Sequence, residues 1–301
     1  MENSDTVVKD DRRQIRRIFY LARGRHRTIT PPIDLASGSI LMQALLNTAV
    51  KAARKGGETA LRQINRLHQL QVQSKAHNNF VTQVDIAAER AIIESISERY
   101  PDHAFLAEES GQHGDGDYVW IIDPLDGTTN FIHGFPVFAV SIALRIKGKL
   151  QVGVVYDPNR QEIFTAMRGQ GAQVDGRRIR VSGRRGLDGA LIGTGFPYDC
   201  EEDMAHYLKM LESVLKNTAG IRRPGAAAID LAYVAAGRLD GFWEFGLHEW
   251  DLAAGSLIIR EAGGLISELN GHGDYMQSGN VVAGSPKIHD ALKKLLTPHL
   301  P

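Results

Sequence analysis

The chain runs to 301 residues, 43% of them hydrophobic and 23% charged, with 35 basic residues against 35 acidic ones. Such a composition belongs to a globular protein with a core large enough for one big domain or two, and the balanced charge points to neither nucleic acid nor an anionic membrane. No apolar run approaches the roughly 18 residues of a spanning helix, and a single cysteine, Cys200, forms no internal disulfide, which suits a reducing cytoplasm.

Taken in chain order, residues 9–27 come first, with eight basic side chains against Asp10 and Asp11. Pro31 and Pro32 then interrupt the chain. We expect residues 1–41 to be a basic, disordered N-terminal extension. Residues 42–301 read as one continuous unit, α+β over 42–185 and α/β over 186–301. From Met42 to Gln71 apolar residues recur at helical spacing, and Gly56 and Gly57 mark a candidate kink. Lys75 to Asn79 is a polar connection. A second amphipathic helix runs from Asp85 to Tyr100, where Pro101 stops it.

The pattern then changes to short strands. His103–Ala107 ends at Glu108 and Glu109, Gly111–Asp117 is a loop, and Tyr118–Ile122 is an apolar strand. Phe138–Lys147, Gln151–Tyr156 and Glu162–Met167 continue as an antiparallel meander. Beyond it strands alternate with helices. The strands are Ala190–Thr194, Gly220–Arg223, Gly241–Phe245, Leu265–Glu268 and 281–283. The helices are Glu202–Lys216, Ala226–Ala236, Asp251–Ala262 and one from Pro286.

The most informative stretch is Ile121-Ile-Asp-Pro-Leu-Asp-Gly-Thr-Thr-Asn-Phe131. Asp123 stands at the carboxyl end of a strand, where ligand sites in sheets commonly lie. Pro124 holds Asp123 extended, and Asp126 follows one tight turn later. Such a turn can aim both carboxylates, and the Leu125 carbonyl, at one point. Gly127 permits a positive φ, and Thr128 and Thr129 suit the first turn of a helix, whose free N–H groups attract anions. Oxygen ligands of this kind favour Mg²⁺, Mn²⁺ or Ca²⁺ over zinc. Asp-Pro-x-Asp-Gly alone is equally an Asx-type turn with a helix cap. Glu108, Asp85 and Asp251 are further acids at strand ends or helix starts, although a lone Asp before a helix is ordinarily an N-cap. There is no phosphate-binding loop of the Walker type, no His-Glu-x-x-His and no Cys-x-x-Cys. Gly193-Thr194-Gly195 lacks the third glycine of a dinucleotide fingerprint and reads as a strand-end turn.

With Ala107-Glu-Glu-Ser110 upstream, and Trp250-Asp-Leu-Ala-Ala-Gly255 and Glu261-Ala-Gly-Gly264 downstream, the chain from Met42 onward resembles the inositol monophosphatase family, most of all its bacterial inositol-1-monophosphatases. The resemblance implies a layered αβαβα sandwich of the sugar-phosphatase type and Mg²⁺-dependent hydrolysis of a phosphate monoester with two or three ions. It also implies inhibition by Li⁺ and a homodimer. By match to the family's motifs, Glu108, Asp123, the Leu125 carbonyl and Thr128 would hold a first metal. Asp123, Asp126 and Asp251 would hold a second, and Asp85 would lie near a third. Gly127, Thr128, Thr129, Gly225, Ala226, Glu244 and Asp251 would line the substrate. The implied catalytic groups are Glu108 and Thr128, which orient a metal-activated water, and Asp123, which bridges the metals.

The resemblance leaves the substrate open. A phosphorylated polyol such as myo-inositol 1-phosphate suits Glu244, since a carboxylate accepts hydrogen bonds from hydroxyls. Histidinol phosphate, a 3′-phosphoadenosine nucleotide and fructose 1,6-bisphosphate are the alternatives. Association with transcription-antitermination factors or RNA polymerase is a further expectation by analogy with bacterial relatives. Arg222, Arg223 and the basic extension are the candidate surface.

Overall fold

The computed structural model describes residues 35–64, 72–76, 79–197 and 201–300. The expected extension therefore lies outside the described residues as far as residue 34. Three sheets and eight α-helices are found among the described residues.

Helix α1 covers Leu35–Leu61 and packs along α2, Gln83–Ser97. It begins before Met42, inside the stretch expected to be disordered, and it ends before Gln71. Residues 65–71 lie outside the described residues. Gly56 and Gly57 do not kink it. They are points of close approach, where a Cβ would stand 2.7 Å from Ile92 Cδ1 and from the Tyr156 ring respectively. Where a polar connection was expected around Lys75 to Asn79, β1 (Val72–Ala76) and β2 (Asn79–Thr82) pair as an antiparallel ribbon leading into α2.

The large sheet holds β3 (Ala104–Ala107), β4 (Gly111–His113), β5 (Tyr118–Asp126), β6 (Ala139–Ile146), β7 (Lys149–Asp157), β8 (Glu162–Met167), β9 (Gly171–Val174) and β10 (Arg177–Arg178). Their order across the sheet is β10-β9-β8-β7-β6-β5-β3-β4. The meander is as expected from alternation, while Gly111–His113, read as loop, folds back antiparallel on β3. Within this sheet, among the described residues, only β3 and β5 pair in parallel, so the carboxyl ends of those two strands open on one edge.

The smaller sheet contains β11 (Leu191–Thr194), β12 (Gly220–Arg222), β13 (Gly241–Glu244), β14 (Leu265–Glu268) and β15 (Val281–Gly284), in the order β12-β11-β13-β15-β14. Its helices are α4 (Glu201–Asn217), α5 (Ala227–Ala235), α6 (Glu249–Glu261) and α8 (Pro286–Leu296), and two short helices, α3 (Thr128–Ile132) and α7 (Tyr275–Ser278), complete the set.

Strand alternation sorts these elements into five layers. On β6, Val140, Ile142 and Leu144 face α1 and α2, while Ala139 and Ala143 face α5 and α6. On β13, Phe242 faces α5 and α6, while Trp243 faces α4 and α8. The result is helices, large sheet, helices, small sheet, helices. The middle layer is the thinnest in side chains. Ala227, Ala228, Ala232 and Ala235 of α5 and Ala253 and Ala254 of α6 let the two sheets come close. At Gly153 of β7 a Cβ would stand 2.8 Å from the Ala254 carbonyl oxygen. No helix among the described residues is long and apolar enough to cross a membrane.

Candidate active site

The site starts from the parallel pair β3–β5. Ala107 lies opposite Ile122, and the Glu108 amide donates to the Ile122 carbonyl at 3.1 Å. Glu108 and Asp123 therefore leave the sheet at the same edge. Beyond them the β5–β6 ladder slips, from Asp123 opposite Ser141 to Asp126 opposite Ala139. This bulge re-aims the chain as bulges commonly do. Asp123 accepts from the Leu125 amide at 2.9 Å, closing the Asx-type turn, and is only 2% exposed. Gly127 then has φ 93°, and a Cβ there would stand 2.9 Å from the Val137 carbonyl, so the turn needs glycine on both counts.

The acids expected as N-caps are placed differently. Thr82 caps α2 and His248 caps α6, and Asp85 and Asp251 each sit in the third helical position, accepting from the cap residue's amide. The Thr82 amide and hydroxyl reach Asp85 at 2.8 and 2.6 Å, and the Thr128 hydroxyl lies 2.7 Å from its other oxygen. The same Thr128 hydroxyl lies 3.0 Å from the Leu125 carbonyl, so its one proton serves one acceptor at a time. Asp251 reaches the cluster through packing. Ser141, which faces Asp123 across the ladder, donates to the Trp250 carbonyl at 3.0 Å. Asp126 accepts from the Ala228 amide at 2.7 Å, in the first turn of α5.

Electrostatics binds these groups into one cluster. Burial raises the Asp123 carboxyl well above its ordinary range, and the charges of Glu108, Asp126 and Asp251 raise it further. Asp126 is pushed to about 8, by burial first and then by Asp251. Asp85 is raised to about 6 by burial, against the hydrogen bonds from Thr82 and Thr128. Glu244, at the end of β13, is raised by burial, Asp251 and Asp126, so it borders the same space. As they stand, no three His, Cys, Asp or Glu groups among the described residues close on one point at ligating distance. The carboxylates are turned onto backbone amides instead.

Some of the positions expected on the substrate side meet at one loop. Asn130 donates from its amide nitrogen toward the carbonyls of Val137 and Pro224 at 2.8 Å and Gly225 at 3.2 Å, tying α3 to the Gly225–Ala226 segment. Ala226 caps α5 and is buried. Thr129 lies in the first turn of α3 and is exposed. Sequence reasoning missed Asn130, Arg223 as a pocket residue, and Asp230. Arg223 lies over the Phe196 ring at 4.7 Å, and its charge reaches both Glu244 and Asp230. Only the polar character of Asn130 and Asp230 in otherwise small or apolar runs could have drawn notice.

Residues 41–300 match the model of the inositol monophosphatase family. The chain is 54% identical over 266 residues to "Nus factor SuhB" of Pseudomonas aeruginosa, covering 86% of this chain and 98% of that protein. It is 51% identical over 253 residues to the protein of the same name in Escherichia coli K12, covering 83% and 95%. Among solved structures, it resembles the extragenic suppressor protein suhB from Bartonella henselae at a TM-score of 0.82 and 46% identity, over 84% of this chain and 98% of that one.

Proposed function

The chain belongs to the inositol monophosphatase family, and on that premise we propose that it hydrolyses the phosphate monoester of a polyol, with myo-inositol 1-phosphate as the substrate that suits its pocket. The observation that carries this reading is the set of acids. Asp123 and Asp126 are held back from ionising by burial and by each other's neighbourhood, beside Glu108, Asp251 and Glu244. Buried like charges at this density need a cation to be stable as carboxylates.

A hard divalent ion fits. The donors are all oxygen, from Glu108, Asp123, the Leu125 carbonyl, Asp126 and Asp251, with Asp85 beside Thr128. Bound there, Mg²⁺ supplies charge neutralisation of the phosphoryl group and an acidified water. The chain's own residues do the rest. Thr128, with its proton committed to Asp85 or the Leu125 carbonyl, offers lone pairs to the attacking water, and Glu108 accepts that water's proton. The amides of Gly127 to Thr129 face the phosphoryl oxygens. Glu244 accepts hydrogen bonds from ring hydroxyls and, with Gly225 and Ala226, sets the orientation of the leaving group. The family's homodimer and its lithium sensitivity carry over as expectations, checked by light scattering and a Li⁺ titration of turnover.

The test is phosphate release from myo-inositol 1-phosphate with Mg²⁺, against an excess-EDTA control, for wild type and Asp123→Asn. We expect release that EDTA stops and that Asp123→Asn lowers by at least about 10³-fold with the melting transition retained, the loss typical of an essential catalytic group. Near-normal turnover in the variant would sink the metal assignment. Activity confined to histidinol phosphate or a 3′-phosphoadenosine nucleotide would reassign the substrate.

A second reading stands beside catalysis, because the relatives at 51–54% identity are named Nus factors. We propose that association with transcription-antitermination factors or RNA polymerase uses exposed Arg222. Arg222→Glu should weaken their pulldown while sparing hydrolysis. A pulldown equal to wild type would remove this surface from the account.

A further inference from the structure

Gly193 lies in β11 and Gly195 just past its end at Thr194, and the two glycines point to one face of the small sheet, toward α5. A carboxyl group fills the space over Gly195, while Leu239, Phe242 and Asp230 share the space over Gly193. A Cβ at Gly195 would stand 1.7 Å from Glu244 Oε1, and one at Gly193 would stand 3.3 Å from Asp230 Oδ1. Gly195 is thus the floor under Glu244 and Gly193 part of the floor under Asp230, two acids from different elements, β13 and α5, whose charges act on one another. Asp230 is 1% exposed, and its Oδ1 has no hydrogen-bond partner among the described residues. A buried acceptor with no donor costs about 1–3 kcal/mol, so its retention asks for an occupant that donates to it.

We propose that Asp230 determines specificity for the leaving group, its Oδ1 taking a hydrogen bond from the hydroxyl-bearing end of the substrate, directly or through one water, beside the hydroxyls held by Glu244. The inference rests on the polyol phosphatase reading and deepens it.

The charge balance of this corner favours an uncharged, hydroxyl-rich group over an ammonium. Burial raises Asp230 well above the carboxylate range, and the charges of Glu244 and Asp126 add to it, while Arg223 opposes. Glu244 is raised in the same way, by burial and by the charges of Asp251 and Asp126, with Arg223 again opposing. Two carboxyls both held back from ionising leave the corner with little negative charge of its own. It offers an acceptor at Glu244 and both donor and acceptor at Asp230, which is the inventory a vicinal diol matches. An ammonium there would meet two carboxyls held back from ionising, with the positive charge of Arg223 close by.

The experiment compares kcat/KM for myo-inositol 1-phosphate and for 4-nitrophenyl phosphate, whose leaving group lacks neighbouring hydroxyls. Asp230→Ala and Asp230→Asn are assayed against wild type with Mg²⁺ present. We expect Asp230→Ala to lower the inositol-to-nitrophenyl ratio about tenfold, what one net hydrogen bond is worth, mainly through KM for inositol 1-phosphate. Asp230→Asn keeps an acceptor and a donor in place and should recover most of that ratio. Asp230→Ser replaces the alanine variant if the latter lacks a cooperative melt. A ratio unchanged in the alanine or serine variant, or equal losses on both substrates without recovery in Asp230→Asn, would overturn the inference while leaving the function intact. Wild-type protein that releases no phosphate from inositol 1-phosphate would overturn the function and the inference together.

Discussion

Removing divalent ions should make the protein less stable as pH rises, and Asp126 is one of the buried acids responsible. Its carboxyl moves from an ordinary 3.8 to about 8 in the fold. An acid with a raised folded pKa holds its proton more tightly folded than unfolded. Its contribution is complete below pH 3.8 and is lost as pH rises through about 8. At about 1.4 kcal/mol per unit, full ionisation would cost about 6 kcal/mol without screening. Asp126 keeps some solvent access, which screens the repulsion, so we take about half, ~3 kcal/mol. For a chain of this size that is on the order of 6 °C in melting temperature. Asp85, raised to about 6, adds loss over the lower part of the range. The assay is thermal melting of EDTA-treated protein from pH 5 to 9, with and without Mg²⁺, for wild type and Asp126→Asn. Without metal, the wild-type transition should fall between pH 5 and 8, and the variant should fall less steeply over the same range, keeping only the part that Asp85, Asp123, Glu244 and Asp230 contribute. Mg²⁺ should raise the wild-type transition more at pH 8 than at pH 5. A metal-free transition that holds or rises between pH 6 and 8, with Asp126→Asn tracing the same curve, would refute the reasoning.

Three substitutions probe the surrounding frame. Gly195→Ala drives a methyl into the Glu244 carboxyl, the movable end of a side chain, so the fold should survive while KM for inositol 1-phosphate rises several-fold; steady-state kinetics with an unchanged KM would contradict the glycine floor. Gly127→Ala meets the Val137 carbonyl at 2.9 Å and a φ of 93°, and neither can give way cheaply. Urea denaturation should show a loss of about 2 kcal/mol or more, and a loss under 0.5 kcal/mol would contradict the turn geometry. Asn130→Ala releases the Val137, Pro224 and Gly225 carbonyls. We expect a loss of about 2 kcal/mol and faster amide exchange around Gly225, and protection equal to wild type would argue against the tie.

Most of the fold was legible because its signals are local. Alternation on β6 and β13 marks residues facing two different helix layers, and the small residues of α5 and α6 mark helices pressed between sheets. The errors fall where local pattern is weakest. The helix beginning at Leu35 carries too few apolar positions at its start to be read from spacing. The strands β1 and β4 are short and polar, and pairing alone makes them strands. Asp85 and Asp251 read as caps because an acid at a helix start is one in most chains. Their actual place, one turn in, depends on Thr82 and His248 taking the cap.

The sequence by itself determined the turn of Asp123 to Thr128. Proline and glycine there restrict the backbone, and the acids that share the turn lie within four residues of one another. It also determined the family, through motifs that survive as local strings. Spacing and periodicity said nothing of a space shared by Asp251, Glu244 and Asp230; the family motifs implied it for Asp251 and Glu244, and only the tertiary structure brought in Asp230. Asp251 arrives because Ser141 bonds to Trp250 across two layers. Glu244 and Asp230 come near enough for their charges to interact, over Gly195 and Gly193 at the end of β11. Contacts between residues so distant in the chain leave no periodic trace, since what joins them is the stacking of sheets and helices, and that is set by the whole core at once.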